Sequence, residues 1–116
     1  MNELELSRIV NNLQSQNIPI LAVIGVLGTT EFGTIDPINE IVKLRDQKSK
    51  QGLNFYIHID AAWGGYLTSL FRKEDGRFEE LESIKKELQY FPSKRVYQSF
   101  KALSETDSRY KDYEHW

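Results

Sequence analysis

Three residues in this chain combine a reactive side chain with a placement that suits a ligand. Asp60 stands where the apolar run Phe55-Tyr56-Ile57-His58-Ile59 stops, and Thr29 and Thr30 stand in the loop after a second run, Ile20 to Leu27. Ala61, Ala62, Trp63, Gly64 and Gly65 follow the acid, and four of those five are too small to block a ligand from the backbone. Asp60 admits three readings. It is a magnesium ligand, like the acid that ends a strand in many nucleotide hydrolases. It is a structural turn cap, accepting hydrogen bonds from the amides after it. Or it pairs with a protonated heterocyclic nitrogen while Ala62 lets a flat ring lie on the backbone.

Several other chemistries are excluded. The chain has no Gly-x-x-x-x-Gly-Lys-Ser/Thr and no Gly-x-Gly-x-x-Gly, so the two usual phosphate loops are missing. A magnesium-nucleotide site loses most of its support with them. The only histidines are His58, inside the run, and His115, near the end. No His and carboxylate cluster has metal-ligand spacing, no cysteine is present, and no Gly-x-Ser-x-Gly elbow exists for a serine hydrolase.

The elements that must position these residues follow from periodicity. Leu6, Ile9, Val10 and Leu13 recur at helical spacing, which predicts an amphipathic helix over 3–16 that covers a sheet. Pro19 opens Ile20 to Leu27, a continuous run expected for a parallel strand covered on both faces, with something packed closely at Gly25. A hydroxyl-rich loop leads to Asp36-Pro37, read as N-cap and first helical residue. Ile38, Ile41 and Val42 form the buried stripe of that helix, Lys43, Arg45, Lys48 and Lys50 a solvated face, and Gly52 its end. The second strand places Leu53, Phe55, Ile57 and Ile59 on one face and Tyr56, His58 and Asp60 on the other. Strand, helix, strand at this spacing is a right-handed βαβ unit, so the loops 28–36 and 60–66 emerge on the same ligand-binding edge. Beyond it, 71–77 reads as a surface turn, Phe78, Leu81, Ile84 and Leu88 as a helix broken by Pro92-Ser93, and Val96, Phe100 and Leu103 as a shorter helix ending before Asp107.

Composition bounds the class. With 116 residues, 40% hydrophobic and 28% charged, the chain has room for one small domain or part of a larger one. A net charge of -2 gives no electrostatic case for nucleic acid. The acidic start, Met-Asn-Glu-Leu-Glu-Leu, is not a signal peptide, and Ile18 to Leu27 is too short to span a bilayer. A soluble, cytoplasmic α/β protein is expected.

Three stretches carry a family resemblance. Gly28-Thr29-Thr30-x-x-Gly33-x-x-Asp36-Pro37, His58-Ile59-Asp60-Ala61-Ala62-Trp63-Gly64-Gly65 and Ser99-Phe100-Lys101-Ala102-Leu103 resemble the core of the group II pyridoxal-phosphate-dependent amino acid decarboxylases. The wording is nearest to bacterial tyrosine decarboxylases and covers about residues 1–108. The resemblance implies a central slice of a fold type I, pyridoxal-phosphate transferase-like large domain, with a parallel βαβ core and flanking helices. It implies pyridoxal 5'-phosphate as cofactor, an amino acid such as L-tyrosine as substrate, and a homodimer. Residue by residue, Asp60 matches the acid that bonds the pyridine nitrogen, Ala62 the small residue against the ring, and Thr30 a pocket threonine. His58 matches a histidine position in the strand, taken here as a packed structural group. Trp63 either lines the pocket or plugs the sheet edge.

The end of the chain departs from that pattern. The family's catalytic lysine lies in Asp-Pro-His-Lys, whereas Asp107-Ser108 is followed here by Arg109-Tyr110-Lys111-Asp112-Tyr113-Glu114-His115-Trp116. Lys111 lacks the flanking residues, so no catalytic residue is assigned and 109–116 is set apart as a divergent tail. Two parallel strands with two open edges make a marginal sheet. The expectation is therefore an inactive fragment of a decarboxylase. The alternatives are a non-catalytic fragment that associates with a full-length subunit, or an unrelated nucleotide- or metal-binding α/β module.

Overall fold

A computed structural model describes residues 1–110 of the chain. Lys111, to which no catalytic role is assigned, and His115 lie outside the described residues, as does most of the divergent tail. The first helix, α1 (Glu3–Ser15), begins at Asn2, whose Oδ1 accepts from the amides of Leu4 at 3.0 Å and Glu5 at 3.2 Å. It ends at Ser15, and Asn17 just beyond takes φ 55°, a left-handed position that asparagine tolerates. Strand β1 (Ala22–Val26) leads through the hydroxyl-rich loop to α2 (Ile38–Ser49), and β2 (Tyr56–Asp60) follows. A 3-10 segment, Gly65–Phe71, then turns the chain towards α3 (Leu81–Glu87) and α4 (Lys94–Lys101). A 3-10 turn at Ala102–Glu105 delivers β3 (Ser108–Tyr110). Among the described residues no helix is long and apolar enough to cross a membrane.

The sheet is parallel throughout, in the order β1-β2-β3. Its register pairs Ile24 with His58 and Val26 with Asp60, and then His58 with Ser108. The third strand corrects the two-stranded expectation. Ser-Arg-Tyr is too short and too polar to carry a strand period, and it forms because Asp107 fastens it. Asp107 Oδ2 accepts from the Ile57 amide at 2.7 Å, and the Asp107 amide donates to the Ile57 carbonyl at 3.1 Å. Arg45 donates to the Glu105 carbonyl at 2.9 Å and reaches Asp107 Oδ2 at 3.4 Å. Asp107→Ala removes the side-chain bonds, each a hydrogen bond to a charged group, and is expected to destabilise by about 1.5–3 kcal/mol. Hydrogen exchange checks this: the Ile57 amide should lose its protection before the rest of β2.

A second correction concerns the faces of the sheet. Val23, Ile57 and Ile59 are buried under α2, and an ideal Cβ on Gly25 would lie 2.8 Å from Ile38 Cδ1, which is the close packing predicted there. The opposite face is open among the described residues, with Ile24 58% and Tyr56 49% exposed. A continuous apolar run was expected to be covered on both sides, but β1 is sheltered on one. The predicted helix beginning at Phe78 also starts later, at Leu81. Phe78 instead belongs to an antiparallel bridge with Arg72 and packs its ring 5.8 Å from Phe71.

Local caps differ from expectation in two places. Asp36 does not cap α2: its Oδ2 accepts from the Val26 amide at 2.8 Å and ties the loop back to β1. Pro37 takes the cap position, and buried Ser99 on α4 does the capping across space. The Ser99 hydroxyl donates to the Asp36 carbonyl at 3.0 Å and accepts from the Ile38 amide at 3.3 Å. Lys48, read as part of a solvated face, is buried between α2 and α1. Its ammonium donates to Gln14 Oε1 at 2.7 Å and to Asn11 Oδ1. Helix α1 accordingly packs mainly on α2 rather than directly over the sheet, because amide oxygens on α1 satisfy a charge that would otherwise need water.

Candidate cofactor site

Asp60 ends β2 at the carboxyl edge of the sheet, on the open face that also carries Tyr56 and His58. Its main-chain carbonyl accepts from the Leu27 amide at 2.8 Å, so the end of β1 is held beside it. Its Oδ1 accepts from the Ala62 amide at 3.2 Å. The turn-capping role is therefore present, and it uses one carboxylate oxygen. Among the described residues Oδ2 accepts no hydrogen bond and stands free at the edge. The carboxylate is exposed in this chain, so the described residues do not supply the burial that would strengthen an ion pair with a ring nitrogen.

Two glycines let the flanking loops meet. Gly64 lies so close to β1 that an ideal Cβ would sit 2.0 Å from the Leu27 carbonyl oxygen. Gly28, at φ +90, faces the Gly64 backbone, with an ideal Cβ 3.1 Å from its Cα. The loops after β1 and β2 thus pack backbone against backbone, and Thr30 and Asp60 belong to one connected rim. Sequence reasoning noted the glycines as small but missed that contact, because nothing in the chain pairs position 28 with position 64.

The loop after β1 folds on itself through Thr29 rather than Thr30. Thr29 Oγ1 accepts from the Thr34 amide at 3.1 Å and shares a hydrogen bond with Thr34 Oγ1 at 2.9 Å. Thr30 is left exposed with its hydroxyl uncommitted among the described residues. Ala62 is half-buried, and Trp63 is 61% exposed, so it does not plug the sheet edge. His58 is half-buried and lies two residues before Asp60 on the same face. Its Nδ1 is 2.7 Å from Ser108 Oγ, which links it to β3 rather than to the rim. Among the described residues no three His, Asp or Glu side chains are grouped to hold a metal ion.

Comparison with known proteins bears on what such a rim holds. The pyridoxal-dependent decarboxylase conserved domain matches residues 1–100. The chain is 40% identical over 113 residues to the L-tyrosine decarboxylase of Enterococcus faecalis, covering 90% of this chain and 18% of that protein. It is 38% identical over 112 residues to the L-tyrosine decarboxylase of Levilactobacillus brevis, covering 89% of this chain and 18% of that protein. Among solved structures, mouse CSAD in apo form is similar over 62% of this chain and 14% of its own, with 30% identity and a TM-score of 0.49. The chain spans less than a fifth of the length of these curated relatives.

Proposed function

The chain belongs to the pyridoxal-dependent decarboxylase family, and we propose that it forms the pyridine-ring half of a pyridoxal 5'-phosphate site in an enzyme that decarboxylates L-tyrosine or a similar amino acid. The observation that carries this reading is the free Oδ2 of Asp60 at the carboxyl edge of a parallel sheet, beside a half-buried alanine and a rim of bare backbone. Those residues suit a flat ring with a protonated nitrogen. When bound, the cofactor supplies an electron-accepting heterocycle, which is the chemistry that loss of an amino acid carboxylate requires. Asp60 would hold the proton on the ring nitrogen, since a carboxylate within hydrogen-bond reach favours the charged form. Ala62 leaves the ring its space, and Thr30 offers a hydroxyl from the facing loop. His58, held by Ser108, steadies the strand that carries Asp60. Lacking the Pro-His-Lys sequence, the chain by itself would not decarboxylate its substrate.

A second reading is favoured by the open sheet face. Ile24 and Tyr56 are exposed there, as expected if the chain associates with a full-length decarboxylase subunit that covers them.

Titration with pyridoxine 5'-phosphate tests the first reading, since this analogue lacks the aldehyde and cannot react with surface lysines. The amide resonances of Thr30, Asp60 and Ala62 should shift saturably. Asp60→Ala should weaken binding about tenfold, or about 1.4 kcal/mol. Unchanged affinity in that variant would sink the assignment. Borohydride reduction with pyridoxal 5'-phosphate checks the claim of inactivity, because a specific stable adduct at Lys111 would contradict it.

A further inference from the structure

Strand β3 carries an arginine where its neighbours carry core. In a parallel pair, residues in register project to the same face, and Arg109 is in register with fully buried Ile59. Arg109 therefore lies on the helix-covered side of the sheet, opposite to the face of Asp60. There it lines a cavity of about 250 Å³ together with Arg72 and Lys101. Phe78 and Phe100 form part of its apolar wall, and Thr68 contributes a hydroxyl. Among the described residues no acidic side chain lines it. The Arg72 guanidinium donates one bond to the Gly76 carbonyl at 3.1 Å.

All three cationic side chains are exposed, so water screens their mutual repulsion, and what they supply is a set of N–H donors at the mouth of one apolar-walled volume. The volume also exceeds the roughly 150 Å³ in which an apolar cavity accepts benzene, which leaves space for an anionic group on a ring. We propose that this cavity binds a small aromatic anion, with the ring against the apolar wall that includes Phe78 and Phe100 and the anionic group among Arg72, Lys101 and Arg109. Guanidinium groups suit such a ligand because their planar N–H pairs match the oxygens of a carboxylate or phosphate. The site is separate from the one proposed at Asp60. Consecutive residues serve the two: Asp60, the last of β2, lies on the open face, and Ala61, just past it, lines the cavity.

The test is a titration of the 116-residue chain with phenyl phosphate, followed by amide chemical shifts, with benzyl alcohol and inorganic phosphate as comparators. Saturable shifts are expected at Thr68, Ser104 and Arg109, with affinity about tenfold above either comparator. Lys101→Gln and Arg72→Gln should each weaken binding about threefold or more, and raising the salt should weaken it further. Arg109→Gln should do the same, and the two other variants keep the test sound if that change loosens β3. Asp60→Asn should leave phenyl phosphate binding unchanged. Equal affinity for benzyl alcohol or for inorganic phosphate would overturn the proposal. So would binding that survives the Arg72→Gln/Lys101→Gln double change, or binding lost in Asp60→Asn.

Discussion

Gly64→Ala is expected to destabilise the chain by about 3 kcal/mol or more, because its new methyl group has nowhere to go. The backbone at Gly64, φ -86 and ψ -10, suits any residue, so the penalty does not come from conformation. It comes from an ideal Cβ 2.0 Å from the Leu27 carbonyl oxygen, an atom of the main chain that cannot swing aside. Relief requires the loop after β2 to move away from β1. That motion would stretch the bond from the Leu27 amide to the Asp60 carbonyl, now 2.8 Å, and separate the two halves of the proposed rim. Urea unfolding followed by far-ultraviolet circular dichroism measures the loss. A change below about 1 kcal/mol would mean that the crossing is looser than described. Gly33→Ala is a useful contrast, since its Cβ would meet nothing within 4 Å and only its positive φ of 60° would count against it.

Phe71→Ala is expected to cost about 3–5 kcal/mol, the range for emptying a large buried aromatic site. Phe71 is fully buried and joins segments distant in sequence. Its ring stacks on Phe100 with centroids 4.1 Å apart and 16° between planes, and Phe78, Phe91 and Tyr97 lie at 5.8, 6.1 and 6.3 Å. The 3-10 segment, the bridge at Phe78, the loop at Phe91 and helix α4 are thereby held together. For a small domain with about 5–15 kcal/mol in total, such a loss leaves a large unfolded fraction. Phe71→Leu keeps most of the volume and should cost less than half as much. Thermal unfolding of the two variants side by side gives the answer, and equal midpoints would show that the cluster does not behave as one packed unit.

How far the fold was legible depended on whether its cause was local. Ile20 to Leu27, Ile38 to Lys48 and Phe55 to Asp60 were readable as strand, helix and strand because apolar spacing and bounding Pro19 and Gly52 are properties of neighbours in sequence. The predicted alternation on β2 is the one observed, with Ile57 and Ile59 buried and Tyr56 exposed. The starts of α2 and β3 were not readable in the same way. Ser99 caps a helix from 61 residues away, and Asp107 bonds Ile57 across 50. Lys48 looked like solvent-facing charge because the amides that satisfy it, Asn11 and Gln14, belong to another helix.

The candidate site divides along the same line. Local sequence places Asp60 at the end of a strand, Thr30 in the loop after its neighbour, and small residues behind the acid, since strand ends and turns are dictated within a few residues. The bond from the Ala62 amide to Asp60 Oδ1 is local as well, the turn cap that the sequence already offered. Thr29 is consumed within its own loop, by Thr34 five residues on, a pairing that periodicity does not report. The meeting of Gly28 with Gly64, and of Arg72, Lys101 and Arg109 around one cavity, arises only when separate segments are brought together. Periodicity records which face of an element is apolar. It carries no information about which distant group will fill the space opposite that face.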